Sequence, residues 1–227
     1  MADQLIPNAA IAGIKVLRLG LRPYAEVWEL QKQLQRELIA QQGAQTVIFC
    51  QHRPVITIGK SSKPASLLVA RAQLEKLGIE LFEVERGGDM TFHGPGQLVC
   101  YPILNLTNFR RDVGWYMRQL EEVAIRTLAH FQLKGIRVAE RTGVWTDAQT
   151  KIASIGVRIS RWCTMHGIAL NVLEAGSGFA AINPCGFEDI RMTSMRELGV
   201  EVTLAQAEEH FLKHFEQVFR TDELSPG

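Results

Sequence analysis

No apolar run in this chain approaches the roughly 18 residues that a membrane-spanning helix requires, so no membrane span is expected. Net charge is nearly absent: 25 Lys and Arg balance 24 Asp and Glu, leaving +1. That balance argues against a broad nucleic-acid surface. The small basic clusters Arg110-Arg111 and Arg158/Arg161 read as solvated faces, or as a docking point for an acidic partner. Cysteine is scarce, and the four present (Cys50, Cys100, Cys163, Cys185) lie far apart. The first residues, Met1-Ala-Asp-Gln-Leu-Ile-Pro7, have neither a basic flank nor a long apolar core, so no secretory leader is expected in them. Reduced thiols in a cytoplasmic protein follow from those two readings. Repeats, low-complexity stretches and linker-like segments are missing as well. What remains is 227 residues at 46% hydrophobic content, which fits one large domain over 1–227 better than two small ones.

Strand and helix patterns alternate along that domain. Ile14 to Leu19 reads as a strand, and Tyr24 to Gln41 carries helical spacing through Val27, Leu30, Leu34 and Leu38. Thr46-Val-Ile-Phe-Cys50 and Val55-Ile-Thr-Ile-Gly59 are β-branched runs separated by a turn at Pro54. Ser66 to Leu77 predicts a helix stopped by Gly78, and Ile79 to Val84 a strand. Asp112 is placed to cap the longest helix, which is expected to run to Lys134-Gly135. Strand-like Ile136 to Val138, Gly143 to Trp145, Lys151 to Ser160 and Met165 to Val172 follow. Ser194 and Glu197 have the spacing of a capping box before a short helix, and Thr203 opens a last amphipathic helix to Phe219. Residues 221–227 are expected to be a disordered tail.

Three features carry chemistry. Arg86-Gly-Gly-Asp-Met-Thr-Phe-His-Gly-Pro-Gly-Gln97 sits between the strand ending at Val84 and the apolar run from Leu98, a good position for a binding loop. Glycine and proline also punctuate ordinary turns, and both readings stand on composition alone. Cys50 and Cys100 lie inside apolar runs, where a thiol behaves as a small buried hydrophobe. Cys185 differs, being held between Pro184 and Gly186 in a rigid loop outside any periodic segment; it is either an incidental thiol or a nucleophile. Lys151 opens the otherwise apolar Lys151-Ile-Ala-Ser-Ile-Gly-Val157, so its amine is expected to be partly desolvated and available to a neighbouring thiol, unless it snorkels from a strand end. Cys163-Thr-Met-His166 has a C-x-x-H spacing, but no second pair accompanies it and structural zinc takes four ligands, so no metal is expected.

Together the glycine loop Arg86 to Gln97, Lys151 to Gly156, His166-Gly-Ile-Ala-Leu-Asn171 and Asn183-Pro-Cys-Gly186 resemble, in order, the motif set of the octanoyltransferases, or lipoyl(octanoyl) transferases. The resemblance covers residues 46–197. It implies a single α/β (α+β) domain with a central mixed sheet flanked by helices, similar to the catalytic modules of biotin and lipoate protein ligases. It implies Cys185 as the acyl-thioester cysteine and Lys151 as the lysine that tunes it. Substrate binding would fall to Arg86, Gly87, Gly88, Asp89, Met90, Thr91, Phe92 and His93, to Ser154, Ile155 and Gly156, and to Gly167, Ile168 and Ala169. The donor would be an octanoyl-acyl carrier protein. The acceptors would be lysines of the lipoyl domains of 2-oxoacid dehydrogenase complexes and of the glycine cleavage H protein. The protein would act as a monomer, with no cofactor, no nucleic acid and no membrane. Two other readings remain: an ATP-dependent lipoate or biotin ligase, against which the Asn-Pro-Cys-Gly motif argues, and a carrier-binding homologue without catalysis, against which the retention of Cys185 with Lys151 argues.

Overall fold

The computed structural model of the chain describes residues 8–11, 13–183 and 190–220. Its strands are β1 (Asn8–Ile11), β2 (Ile14–Arg22), β3 (Thr46–His52), β4 (Val55–Ile58), β5 (Glu80–Glu83), β6 (Thr91–His93), β7 (Gln97–Ile103), β8 (Ile136–Val138), β9 (Arg141–Trp145), β10 (Thr150–Ser160), β11 (Cys163–Asn171) and β12 (Arg191–Met192). The helices are α1 (Tyr24–Ile39), α2 (Arg71–Lys76), α3 (Val113–His130) and α4 (Leu204–Val218). Among the described residues, nine strands form one mixed sheet in the order β1-β2-β3-β7-β11-β10-β9-β8, with β12 parallel to β10. Three more form a small sheet, β5-β4-β6. Strands β2 and β3 are parallel, a pairing that requires a crossover, and α1 supplies it. No helix among the described residues is long and apolar enough to cross a membrane.

Both faces of the large sheet are covered, which explains why its central strands read as unbroken apolar runs. Along β3, Val47 and Phe49 join a core with Leu120 and Val123 of α3 and Phe211 and Phe215 of α4. The intervening Ile48 and Cys50 turn to the opposite face, against Val27 of α1. The two-residue alternation of a strand thus serves two cores at once. The caps at Asp112 and Thr203 form as read: Asp112 accepts from the Trp115 N–H, and Thr203 makes a reciprocal capping box with Gln206.

Several expectations need correction. The helix foreseen over Ser66–Leu77 is a 3-10 turn, Pro64–Ser66, followed only later by α2. Between them Leu67 bridges to Ile182 and the Leu68 N–H donates to the Ala181 carbonyl, so a distant strand-like partner overrides local helical preference. Helix α3 ends at His130 rather than near Lys134, because Gln132 turns to φ +60° and the Leu133 N–H closes back on the Leu128 carbonyl. Ser194 does accept from the Glu197 N–H, but the segment is a single turn broken at Gly199, φ +85°. Its Met195 and Arg196 N–H groups are drawn to the carbonyls of Asn171 and Val172 instead. The glycine-rich stretch is not one loop, since it contains strand β6. In α1 the fully buried residues are Tyr24, Val27, Gln31, Gln35 and Leu38; Leu30 and Leu34 pack half-buried against the same cores, and the two buried glutamines were not foreseen. The expected tail, 221–227, lies outside the described residues.

Candidate active site

A cavity of about 460 Å³ opens between the small sheet and the α1 side of the large one. Segments far apart in sequence line it together: Arg86 and Gly88 to Thr91 with His93, Lys151, Ser154 to Gly156, and His166 to Ala169. The last two sets are neighbours in register, Ser154 opposite Ala169, Ile155 opposite Ile168, and Gly156 opposite Gly167.

Two of the expected binding residues stand away from the cavity surface. The Gly87 N–H donates to the Val157 carbonyl at 2.9 Å and fastens the loop to β10. Phe92 packs edge-on to Phe179 in the apolar cluster under the small sheet. Arg86 is buried, and its guanidinium donates to the Thr57 carbonyl at 2.8 Å, to Thr57 Oγ1 at 2.9 Å, and to the Gly87 carbonyl at 3.0 Å. A loop so rich in glycine is thereby pinned from within. Gly59 completes the clamp, because a Cβ there would lie 2.2 Å from the Gly88 carbonyl oxygen and 2.6 Å from Arg86 Nη1. With no side chain in the way, the Lys60 N–H reaches the Arg86 carbonyl and the Ser61 N–H reaches the Gly88 carbonyl. Asp89 ties the same loop to the 3-10 turn, accepting from Ser66 Oγ at 2.8 Å.

Lys151 is 3% exposed, with Nζ 5.1 Å from the Trp145 ring centroid. Its side chain crosses Gly143, where a Cβ would lie 2.6 Å from Lys151 Cε, and Gly143 adopts φ +117°. Behind that glycine, buried Glu121 accepts the Gly143 N–H at 3.1 Å and also binds Arg118 and Arg137. Cys185, the expected nucleophile, lies outside the described residues. The described chain stops at Asn183, whose N–H donates to the Ser66 carbonyl at 2.8 Å. It resumes at Ile190, and two residues later Met192 pairs with Lys151 while the Thr193 N–H donates to the Lys151 carbonyl at 3.0 Å.

The inner wall of the cavity is a cluster of tyrosines and histidines that composition did not reveal. His52 Nε2 lies 2.9 Å from Tyr101 Oη, and the Tyr24 ring lies nearly parallel to His93, 8° at 6.3 Å. Burial pushes the His52 pKa down to about 4 and those of His93 and His166 down to about 3, so all three rings are neutral at physiological pH. His166 takes a left-handed backbone, φ +59°, and its N–H is held by buried Gln31 of α1 at 2.8 Å. Strain of this kind collects at functional sites. His166 Nε2 and Thr91 Oγ1, both at the cavity, are buried without a hydrogen-bond partner among the described residues. A signal for the wall did exist in sequence: Tyr101 is a lone polar-tipped ring in the apolar run Leu98 to Ile103. Cys163 sits in a separate apolar cluster with Leu38, Ile103 and Met165, and no group of three or more potential metal ligands occurs among the described residues.

Comparison with known proteins gives this arrangement a family. The sequence model described as lipoyl protein ligase A/B catalytic domain matches residues 23–216. In three dimensions the chain resembles the bipartite lipoate protein ligase of Thermoplasma acidophilum, with TM-score 0.68 at 17% identity over 89% of this chain and 82% of that one. It also resembles a lipoate-protein ligase A bound with ATP, with TM-score 0.65 at 15% identity over 91% and 84%. The fold is therefore that of a lipoate-ligase-type catalytic domain. Within it, an octanoyltransferase of Rubrobacter xylanophilus is 46% identical over 91% of this chain and 94% of its own length. Another, from Syntrophotalea carbinolica, is 43% identical over 92% and 95%. The chain belongs to the octanoyltransferase family of acyltransferases.

Proposed function

We propose that this protein transfers an octanoyl group from octanoyl-acyl carrier protein to the lysine amine of a lipoyl domain, through an S-octanoyl intermediate on Cys185. Lipoyl domains of 2-oxoacid dehydrogenase complexes and the glycine cleavage H protein are its acceptors, and it works as a cytoplasmic monomer with one catalytic domain and no cofactor. The observation that carries the reading is the convergence of the glycine loop, the Lys151 strand and the facing Gly167 to Ala169 strand on one cavity. The thiols support it by elimination. Burial holds the Cys50, Cys100 and Cys163 thiols above the ordinary range, so none of them supplies a thiolate readily.

In the first half-reaction the Cys185 S–H proton passes to Lys151, and sulfur attacks the thioester carbonyl. The C–S bond to the carrier's thiol then breaks, and that thiolate takes the proton. In the second, a neutral lysine amine attacks the acyl-enzyme and loses a proton to Lys151. The Cys185 C–S bond breaks, and the thiolate leaves and is reprotonated. The thioester is already activated, so no nucleotide enters the balance.

Intact-mass spectrometry tests this directly. Octanoyl-carrier protein should add one octanoyl group to the wild type and none to Cys185→Ser, and a lipoyl domain should then acquire it in chelated, nucleotide-free buffer. Product from free octanoate with ATP and magnesium, and none from the carrier thioester, would establish a ligase instead.

A further inference from the structure

One imidazole in the cavity has its proton position set by the fold. Gln97 and Asn171 are paired across β7 and β11 and are 2% and 1% exposed. The orientation of their amides is fixed from one end. The Thr193 carbonyl can only accept, so the Asn171 atom 2.9 Å from it is Nδ2. Asn171 Oδ1 then faces Gln97, whose facing atom must be the donor Nε2, at 2.9 Å; the same nitrogen lies 3.3 Å from the Phe92 carbonyl. That leaves Gln97 Oε1 to face His93 Nδ1, at 2.6 Å, so this ring nitrogen carries the hydrogen. A neutral imidazole has one N–H, and His93 is neutral through burial, which leaves Nε2 with a bare lone pair. The ring lines the cavity with Lys151.

We propose that Gln97 and Asn171 are positioning residues that hold His93 as the Nδ1–H tautomer, so that Nε2 is a fixed acceptor for an N–H of the attacking amine. The proposal rests on the acyl-transfer reading. The reacting end of an octanoyl thioester has no N–H or O–H to offer, whereas the acceptor amine keeps N–H bonds throughout its attack. The other acceptors at the cavity suit this step less well. Asp89 and Glu140 are carboxylates, which favour the unreactive ammonium form, and His166, the other neutral imidazole at the cavity, has no hydrogen bond among the described residues that would fix which ring nitrogen accepts. A neutral acceptor orients the amine while stabilising its protonated state much less than a carboxylate does. Because the relay ends on the Thr193 carbonyl, one residue from Met192 beside Lys151, it also joins His93 to the Lys151 strand.

The test combines imidazole ¹⁵N NMR with the two half-reactions measured separately. In the wild type His93 should show a protonated Nδ1 and a bare Nε2, with His93→Gln providing the assignment. Gln97→Met, which has no donor and only a weakly accepting sulfur, should release that tautomer. It should slow amine transfer from the preformed acyl-enzyme about tenfold while leaving acyl-enzyme formation within about twofold. Asn171→Leu should behave like Gln97→Met. Asn171→Asp should rescue both tautomer and transfer, because a buried protonated carboxyl keeps an oxygen for Gln97 and an O–H for Thr193. A protonated Nε2 in the wild type overturns the proposal without any variant having to fold. An unchanged amine step in Gln97→Met also overturns it, and a loss confined to acyl-enzyme formation overturns the assignment to the amine. A wild type that transfers nothing sinks the acyl-transfer reading and the amine role with it, while the spectrum still reports the tautomer.

Discussion

Mild acid should destabilise this protein through its buried histidines. His52, His93 and His166 are held neutral, with pKa values near 4, 3 and 3 against 6.5 for a free imidazole. Between those limits the unfolded chain binds protons that the folded chain refuses, so stability rises with pH. Their contribution is complete above pH 6.5 and is lost as the pH falls toward 4 for His52 and toward 3 for His93 and His166. From pH 7 to pH 5 each ring withdraws about 2 kcal/mol, and the three together about 6 kcal/mol. A domain has only about 5–15 kcal/mol in all, so much of the margin should go. The His52 and His93 rings are 5.7 Å apart, and each proton opposes the other in the same direction. Glu208, whose carboxyl is raised by burial, works in the opposite sense but as a single group. Urea denaturation at pH 7, 6 and 5 should show a midpoint that falls steeply with an unchanged slope. His166→Gln should remove about one third of the pH dependence. A midpoint that stays constant between pH 7 and 5 would refute the claim that these rings are neutral because they are buried.

Other perturbations separate the roles at the site. Lys151→Arg should reduce acyl transfer by a larger factor than it reduces iodoacetamide alkylation of Cys185, because arginine can stabilise a thiolate but cannot accept a proton; Lys151→Met should reduce both. Small, equal effects of the two substitutions would remove Lys151 from the chemistry. Gly143→Ala forces a Cβ to 2.5 Å from the Ala153 carbonyl oxygen at φ +117° and against Lys151, so it should cost about 2 kcal/mol or more and lower Tm by about 4–8 °C, with loss of transfer. Glu121→Leu strands the buried Gly143 N–H and should cost about 1–3 kcal/mol by urea denaturation, whereas Glu121→Gln, which keeps one acceptor, should cost less.

The sequence by itself determined whatever depends on near neighbours. Asp112 and Thr203 cap helices because their partners are three residues away. The apolar runs of β3, β7 and β11 are strands because both of their faces are buried. The ordered motifs around Arg86, Lys151, Gly167 and Cys185 were legible as residue strings, and family membership with them. What the tertiary structure alone decided is which strings meet and which atoms face one another. Nothing near Ser66 announces that Leu67 will pair with Ile182 and delay the helix to Arg71. Gln31 looks like a surface residue until His166, 135 positions away, donates its N–H to it. The amide relay joins positions 97 and 171, and it fixes a proton on His93 that no local pattern encodes. The division has one physical cause: periodicity and capping act over a helical turn or a strand pleat. A buried polar group must instead find its partner wherever the sheet order brings one, because leaving it unpaired costs more than the local preference it overrides.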